Sequence, residues 1–135
     1  MKRRELIAQF LPSSPFVALL GIELVEVGVD RAAVRLPFRP ELTTIADVVH
    51  GGALASLIDM AAVSAAWADD AEPRSMEGAT VSLTVSYVAA ARGKDLTAVG
   101  VVSKRGRNLV FVDVRVTEPD DRLVATGAAV VTLGS

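Results

Sequence analysis

Between residues 80 and 87 the chain alternates without interruption, with Val81, Leu83, Val85 and Tyr87 on one side and Thr80, Ser82, Thr84 and Ser86 on the other. A period of two predicts a strand with one face against a core. The pattern returns over 109–117, where Val110, Val112, Val114 and Val116 mark an inner face. Apolar runs at 96–104 and 123–133 read as strands on either side of it. Arg105-Gly106-Arg107-Asn108 and Pro119-Asp120-Asp121 have the composition of tight turns joining these runs. Nearer the start, 22–27 and 32–37 read as two more strands about a turn at Gly28-Val29-Asp30.

Residues 2–11 carry Leu6, Ile7, Phe10 and Leu11 on one side, the spacing of a short helix that Pro12 is expected to end. Residues 16–20 read as one further helical turn before Gly21. From 52 to 68 the pattern changes: Ala, Leu and Met dominate, proline is absent, and Asp59 is the only charge. These are helix formers, and a helix apolar all round is expected to be buried on nearly every side. Residues 38–49, with Pro40, two threonines and no period, read as a loop. Its length of a dozen residues in a compact domain hints at a functional segment.

The expected order is therefore a leading helix, two strands, a loop, one buried helix and four strands joined by short turns. Short turns make neighbouring strands antiparallel, and a single apolar helix needs a sheet to wrap it. This is an α+β domain, a curled antiparallel sheet around one long helix, expected to span residues 1–135 as a single unit. The 135 residues suffice for one core, and 51% hydrophobic with 22% charged residues is an ordinary globular composition.

Composition removes much chemistry. The absence of cysteine excludes disulfides, thiolate nucleophiles and cysteine-held metals, and a single histidine excludes His-rich metal sites, so no metal is expected. A formal charge of −2 argues against a nucleic-acid partner. The longest apolar run, 53–68, is shorter than the ~20 residues of a membrane span and contains Asp59. Behind Met1-Lys2-Arg3-Arg4 no apolar secretory core follows, and a cytoplasmic protein is expected.

Two features can do chemistry. His50-Gly51-Gly52 opens the apolar helix, where uncovered backbone N–H groups and the helix dipole can polarise a carbonyl. The plainer reading is a flexible loop-to-helix junction with His50 as its polar lid. Asp59, mid-helix, is either a register-fixing carboxylate paired to a hydroxyl or a general base or nucleophile. The step of eight positions from Gly51 to Asp59 amounts to roughly 12 Å along one helix. One chain cannot close that gap over a single carbonyl, whereas two antiparallel copies in a two-fold dimer can. Thr43, Thr44, Thr80 and Ser82 are hydroxyls able to position water or substrate, or ordinary strand and loop residues. Lys104-Arg105-Gly106-Arg107 is either a solvated hairpin tip or, with Arg92, an anion-binding surface.

Over about 16–133 the sequence resembles the hotdog-fold thioesterases, in particular the PaaI-like branch named for phenylacetic acid degradation. The resemblance rests on the run from His50-Gly51-Gly52 to Asp59, on the strand from Thr80, and on the Arg105-Gly106-Arg107 hairpin. It implies hydrolysis of acyl-CoA thioesters by a homodimer or homotetramer, without metal or other cofactor, coenzyme A being part of the substrate. Asp59 matches the family's catalytic carboxylate. Gly51 matches the residue whose N–H, from the opposite subunit, polarises the thioester carbonyl. His50 matches the histidine that shapes that loop, and Thr80 falls where some members carry a water-orienting serine. Gly52, Thr44, Arg105 and Arg107 are expected on the substrate side, the arginines toward the phosphates of coenzyme A. Two positions depart from the pattern: Thr44 stands where many members have Asn or Gln, and Asp47 where they often have Gly. Asp47 can cap the helix or add charge beside the substrate.

Two other readings compete with this one, and only the second stays open. Dehydratases of the same fold need a D-x-x-x-x-H spacing, and Asp47-x-x-His50 does not supply it. A non-catalytic acyl-CoA-binding protein is the other, and Thr44 in place of an amide favours it.

Overall fold

The computed structural model describes residues 1–134. Along the chain run α1 (Arg3–Ser13), α2 (Pro15–Leu20), β1 (Glu23–Val27), β2 (Arg31–Leu36), β3 (Thr43–Ile45), β4 (Val48–Val49) and α3 (Gly51–Ala66). Then come β5 (Ala79–Tyr87), β6 (Leu96–Arg105), β7 (Leu109–Thr117) and β8 (Leu123–Thr132). Six strands make one sheet in the order β1-β2-β6-β7-β8-β5, with every neighbour antiparallel. Helix α3 lies on one face of this sheet and touches β2, β6, β7, β8 and β5. This is the α+β hotdog arrangement implied by the resemblance.

The valine alternation of β7 holds: Val110, Val112, Val114 and Val116 are buried against α3. They join Leu57, Ile58, Ala61, Ala62 and Ala65 of the helix in one hydrophobic cluster that also takes in Ile7 and Leu11 of α1. Pro12 does not end α1, which continues to Ser13. The 38–49 segment is not a plain loop either. A short 3-10 turn at Pro40–Leu42 leads into the two-stranded ribbon β3–β4, which seats the start of α3 through His50 N–H to Leu42 O (2.8 Å).

Helix and sheet meet more closely than ordinary side chains allow. A Cβ at Gly100 of β6 would sit 2.7 Å from the Ala61 carbonyl oxygen, and one at Gly127 of β8 would collide with Cγ2 of Ile58. The obstacle at Gly100 is backbone, which cannot swing aside. Gly100→Ala should therefore push α3 off the sheet and destabilise the fold by about 1–3 kcal/mol. Gly28→Ala, where the added Cβ meets nothing nearer than Arg31 O at 3.9 Å, is the control. Thermal denaturation of the two variants checks this: a clear drop for Gly100→Ala and almost none for Gly28→Ala are expected.

Candidate active site

Four N–H groups at the start of a helix have no intrahelical acceptor. In α3 three of them are taken up locally. His50 N–H goes to Leu42 O, Gly52 N–H to the His50 imidazole Nδ1 (2.8 Å), and Ala53 N–H to His50 O (3.0 Å). Among the described residues the Gly51 N–H has no acceptor. Since Nδ1 accepts, the neutral ring carries its proton on Nε2, an assignment drawn from that hydrogen bond.

The next peptide is held from both sides. The Tyr87 hydroxyl donates to Gly51 O at 2.8 Å, while the Gly52 N–H of the same peptide is bound to His50. A Cβ at Gly51 would approach the Tyr87 ring to 3.3 Å, so the phenol covers the glycine as well as bonding it. Sequence reasoning placed Tyr87 only on an inner strand face. The available signal was that a phenol on such a face needs a partner for its hydroxyl. Thr44, Gly51, Leu54 and Tyr87 line a groove of about 410 Å³ here, continued by residues 88–91. His50 and Gly52 line a second hollow of about 370 Å³ with Phe16, Leu42 and Ser56.

Asp59 lies two turns further along α3, half-buried, and its Oδ1 accepts the Thr80 hydroxyl at 2.6 Å. The expectation that α3 is buried on nearly every side needs correcting. Gly52, Ser56, Asp59, Met60 and Val63 form a stripe that the sheet leaves uncovered, because the sheet covers one side of the helix only. A carboxylate on that stripe keeps access to water and escapes the cost of full burial.

Thr80 reaches Asp59 through a break in the strand pattern. Uninterrupted alternation would put it on the face opposite Leu83 and Val85. A β-bulge between Thr80 and Ser82 instead pairs Thr80 with Val131 and Leu83 with Ala129, both buried residues on the helix side of β8. Val81 is the extra residue, turned outward and 61% exposed.

The structure thus groups the candidates in two places. Asp59 and Thr80 are together, and His50, Gly51, Gly52 and Thr44 are together, roughly 12 Å away along the same helix. Arg105 is in neither group. Its guanidinium donates to Ala66 O (2.8 Å) and Asp30 Oδ1 (2.9 Å) and pairs with Asp69 (3.3 Å), which closes the C-terminal end of α3. Neither a solvated tip nor a phosphate contact describes it, since its donors are already spent on helix carbonyls and carboxylates. Arg107 stands exposed at the hairpin tip. Asp47 does not cap α3, a place His50 holds, and instead pairs with Arg92 at 3.3 Å. Among the described residues no three His, Asp or Glu side chains converge as a metal site requires, and no helix is long and apolar enough to cross a membrane.

Comparison with known proteins adds four findings. Residues 46–125, which include Asp59, Thr80 and the His50–Gly52 start of α3 but not Thr44, match a family model described as the thioesterase superfamily. A Mycobacterium tuberculosis protein named, provisionally, as an esterase is 32% identical over 116 residues, covering 84% of this chain and 81% of its own. Human acyl-coenzyme A thioesterase 13 is 27% identical over 135 residues, or 98% of this chain and 94% of that one. Among solved structures, the E. coli PaaI protein from the phenylacetic acid degradation operon superposes with a TM-score of 0.83. That match covers 96% of this chain and 92% of that one at 19% identity, a likeness of fold.

His50→Ala should free the Gly52 N–H and lower stability by about 1 kcal/mol, the ordinary value of a helix cap. Amide exchange resolved to single residues checks this, with faster exchange at Gly52 in His50→Ala and continued protection there in Tyr87→Phe.

Proposed function

The chain belongs to the thioesterase superfamily, and from that membership we propose that it hydrolyses acyl-CoA thioesters at sites shared between two copies. The observation that carries the reading is the pairing of one unspent N–H, at Gly51, with one accessible carboxylate, at Asp59, on a single helix. A helix start with a bare N–H suits the oxygen of a thioester carbonyl, which gains negative charge as water adds. A carboxylate suits the water. Their separation of roughly 12 Å is the reason a second copy is needed.

In this mechanism Asp59 takes a proton from water as its oxygen bonds to the thioester carbon. Gly51 of the partner subunit holds the resulting oxyanion, and collapse expels the coenzyme A thiolate. Thr80 occupies Oδ1 of Asp59 and leaves Oδ2 to face the water, or to attack the carbon itself if the carboxylate is the nucleophile. His50 and Tyr87 hold the helix start rigid, so little reorganisation is needed as charge develops. No metal or cofactor is required, because the carboxylate and the N–H supply both catalytic functions.

Two features support assembly into a dimer. The uncovered stripe of α3 includes Asp59 itself, and among the described residues β5 is a nine-residue sheet edge with no neighbour on its outer side. Thr44 lines the groove beside Gly51, which supports a bond from its hydroxyl to the substrate near the thioester. Arg107 is the remaining candidate for a phosphate of coenzyme A.

Asp59→Asn should keep the oligomer and lower kcat by about a hundredfold to ten-thousandfold. Free-thiol release from a panel of acyl-CoA esters, with light scattering of both proteins, is the measurement. Unchanged turnover in the variant would sink the mechanism. Binding of esters by the native protein without any turnover would replace it with the acyl-CoA-binding reading, which the departure at Thr44 favours.

A further inference from the structure

Glu118 is the one charged residue among those described that the fold buries, with 2% of its side chain exposed. It follows β7 directly, where the chain turns into β8. Backbone bonds close that turn: Glu118 N–H reaches Arg122 O (3.0 Å), and Asp121 N–H reaches Glu118 O (2.9 Å). Asp121 takes a left-handed φ of 67° to allow it. The turn brings Nη1 of Arg122 to the Glu118 carboxylate at 3.0 Å, the partner a buried charge needs. The same Nη1 also donates to Ala90 O at 3.2 Å.

Ala90 lies in the segment 88–91, which forms one wall of the groove beside Gly51. On one edge of this segment Val88 and Ala89 N–H share Val124 O, at 2.9 and 3.2 Å. On the other, Ala91 O accepts the Val49 N–H at 2.9 Å. Val49 ends β4, and His50 and Gly51 follow it directly. A line of contacts therefore runs from the buried carboxylate, through Arg122 and the backbone at Ala90 and Ala91, to the residue before the helix cap.

We propose that Glu118 and Arg122 are positioning residues for the Gly51 N–H. The carboxylate aims the guanidinium, the guanidinium holds Ala90, and the segment so held fixes β4 where it enters α3. The proposal rests on the function argued above, in which that N–H meets the thioester oxygen. Neither side chain lines the groove, so their effect on turnover passes through the backbone. His50 and Tyr87 fasten the peptide after Gly51, and this route fixes the chain before it. An oxyanion donor acts only at a short, fixed distance, so a small displacement costs rate more than binding.

Replacing both members separates positioning from stability. Arg122→Ala leaves Glu118 buried and unpaired, and its Tm should drop whatever else the pair does. Glu118→Leu combined with Arg122→Met leaves no buried charge, so its Tm should return close to the native value, while Ala90 O still lacks its donor. With acyl-CoA esters this double variant should lose about tenfold to a hundredfold in kcat and in kcat/KM alike, at nearly constant KM. Amide spectra give a readout free of activity. Val49 N–H should exchange faster and the Gly51 amide resonance should move in the double variant. Neither should change in Arg35→Met, which breaks the exposed Glu23–Arg35 pair on β1 and β2. If the double variant does not fold, Glu118→Gln, of the same shape without the charge, takes its place, with a loss of about threefold or more in kcat. Unchanged amides overturn the proposal whether or not esters are hydrolysed, and so does native kcat in a stable double variant. Altered amides in a protein that turns over no ester uphold the coupling, and only the hydrolytic reading then falls.

Discussion

Helix α3 can lie where it does because only hydrogen occupies two positions of the sheet beneath it. Gly100 and Gly127 admit the helix backbone at Ala61 and the side chain of Ile58 at distances no Cβ permits. That approach lets the valines of β7 reach Leu57, Ile58 and Ala62 with no intervening layer. It also fixes the rotation of the helix, because the side carrying Ile58, Ala61 and Ala65 must face the glycines. The opposite side, with Asp59 on it, must then face away.

The ends of α3 are secured by groups drawn from distant parts of the chain. At the start, His50 and Tyr87 fasten the Gly51–Gly52 peptide. At the finish, Arg105 from the β6–β7 hairpin reaches the Ala66 carbonyl, and with Asp30, Asp69 and Arg3 it forms a partly buried alternation of charge. Such a network gives modest net stability but is sensitive to removal of any one member, which would leave a neighbour unpaired. Four separate segments are joined there: α1, the β1–β2 turn, the exit of α3 and the hairpin. Helix α1 and the C-terminal end of α3 therefore share one anchorage.

The positions of the carboxylate and the N–H follow from the same geometry. Both sit on one rigid helix, so their spacing cannot adjust, and a reaction using both requires a second helix running the other way. The bulge in β5 is a local departure that serves this arrangement. By inserting Val81 it turns Thr80 toward α3 without disturbing Leu83, Val85 or Tyr87, which keep their places against the helix. One extra residue in an edge strand thus orients the carboxylate while the rest of the strand still packs.

Much of this was legible in the linear chain. Hydrophobic period determined the strand and helix types, since a half-buried strand and an apolar helix each demand one pattern. The tight turns determined that neighbours run antiparallel, and the run from His50 to Asp59 marked the candidate residues on α3. The rest depends on contacts between residues far apart in sequence. Alternation over 80–87 cannot reveal a bulge, because Val81 continues the apolar series of Leu83 and Val85 and only pairing with β8 shows it to be extra. An arginine in a hairpin looks solvated until the helix end it caps is folded beside it. A helix apolar all round says how much it can bury, but not which stripe the sheet leaves open. Local pattern settles what each segment is, and only packing decides which of its groups are used up and which remain to react.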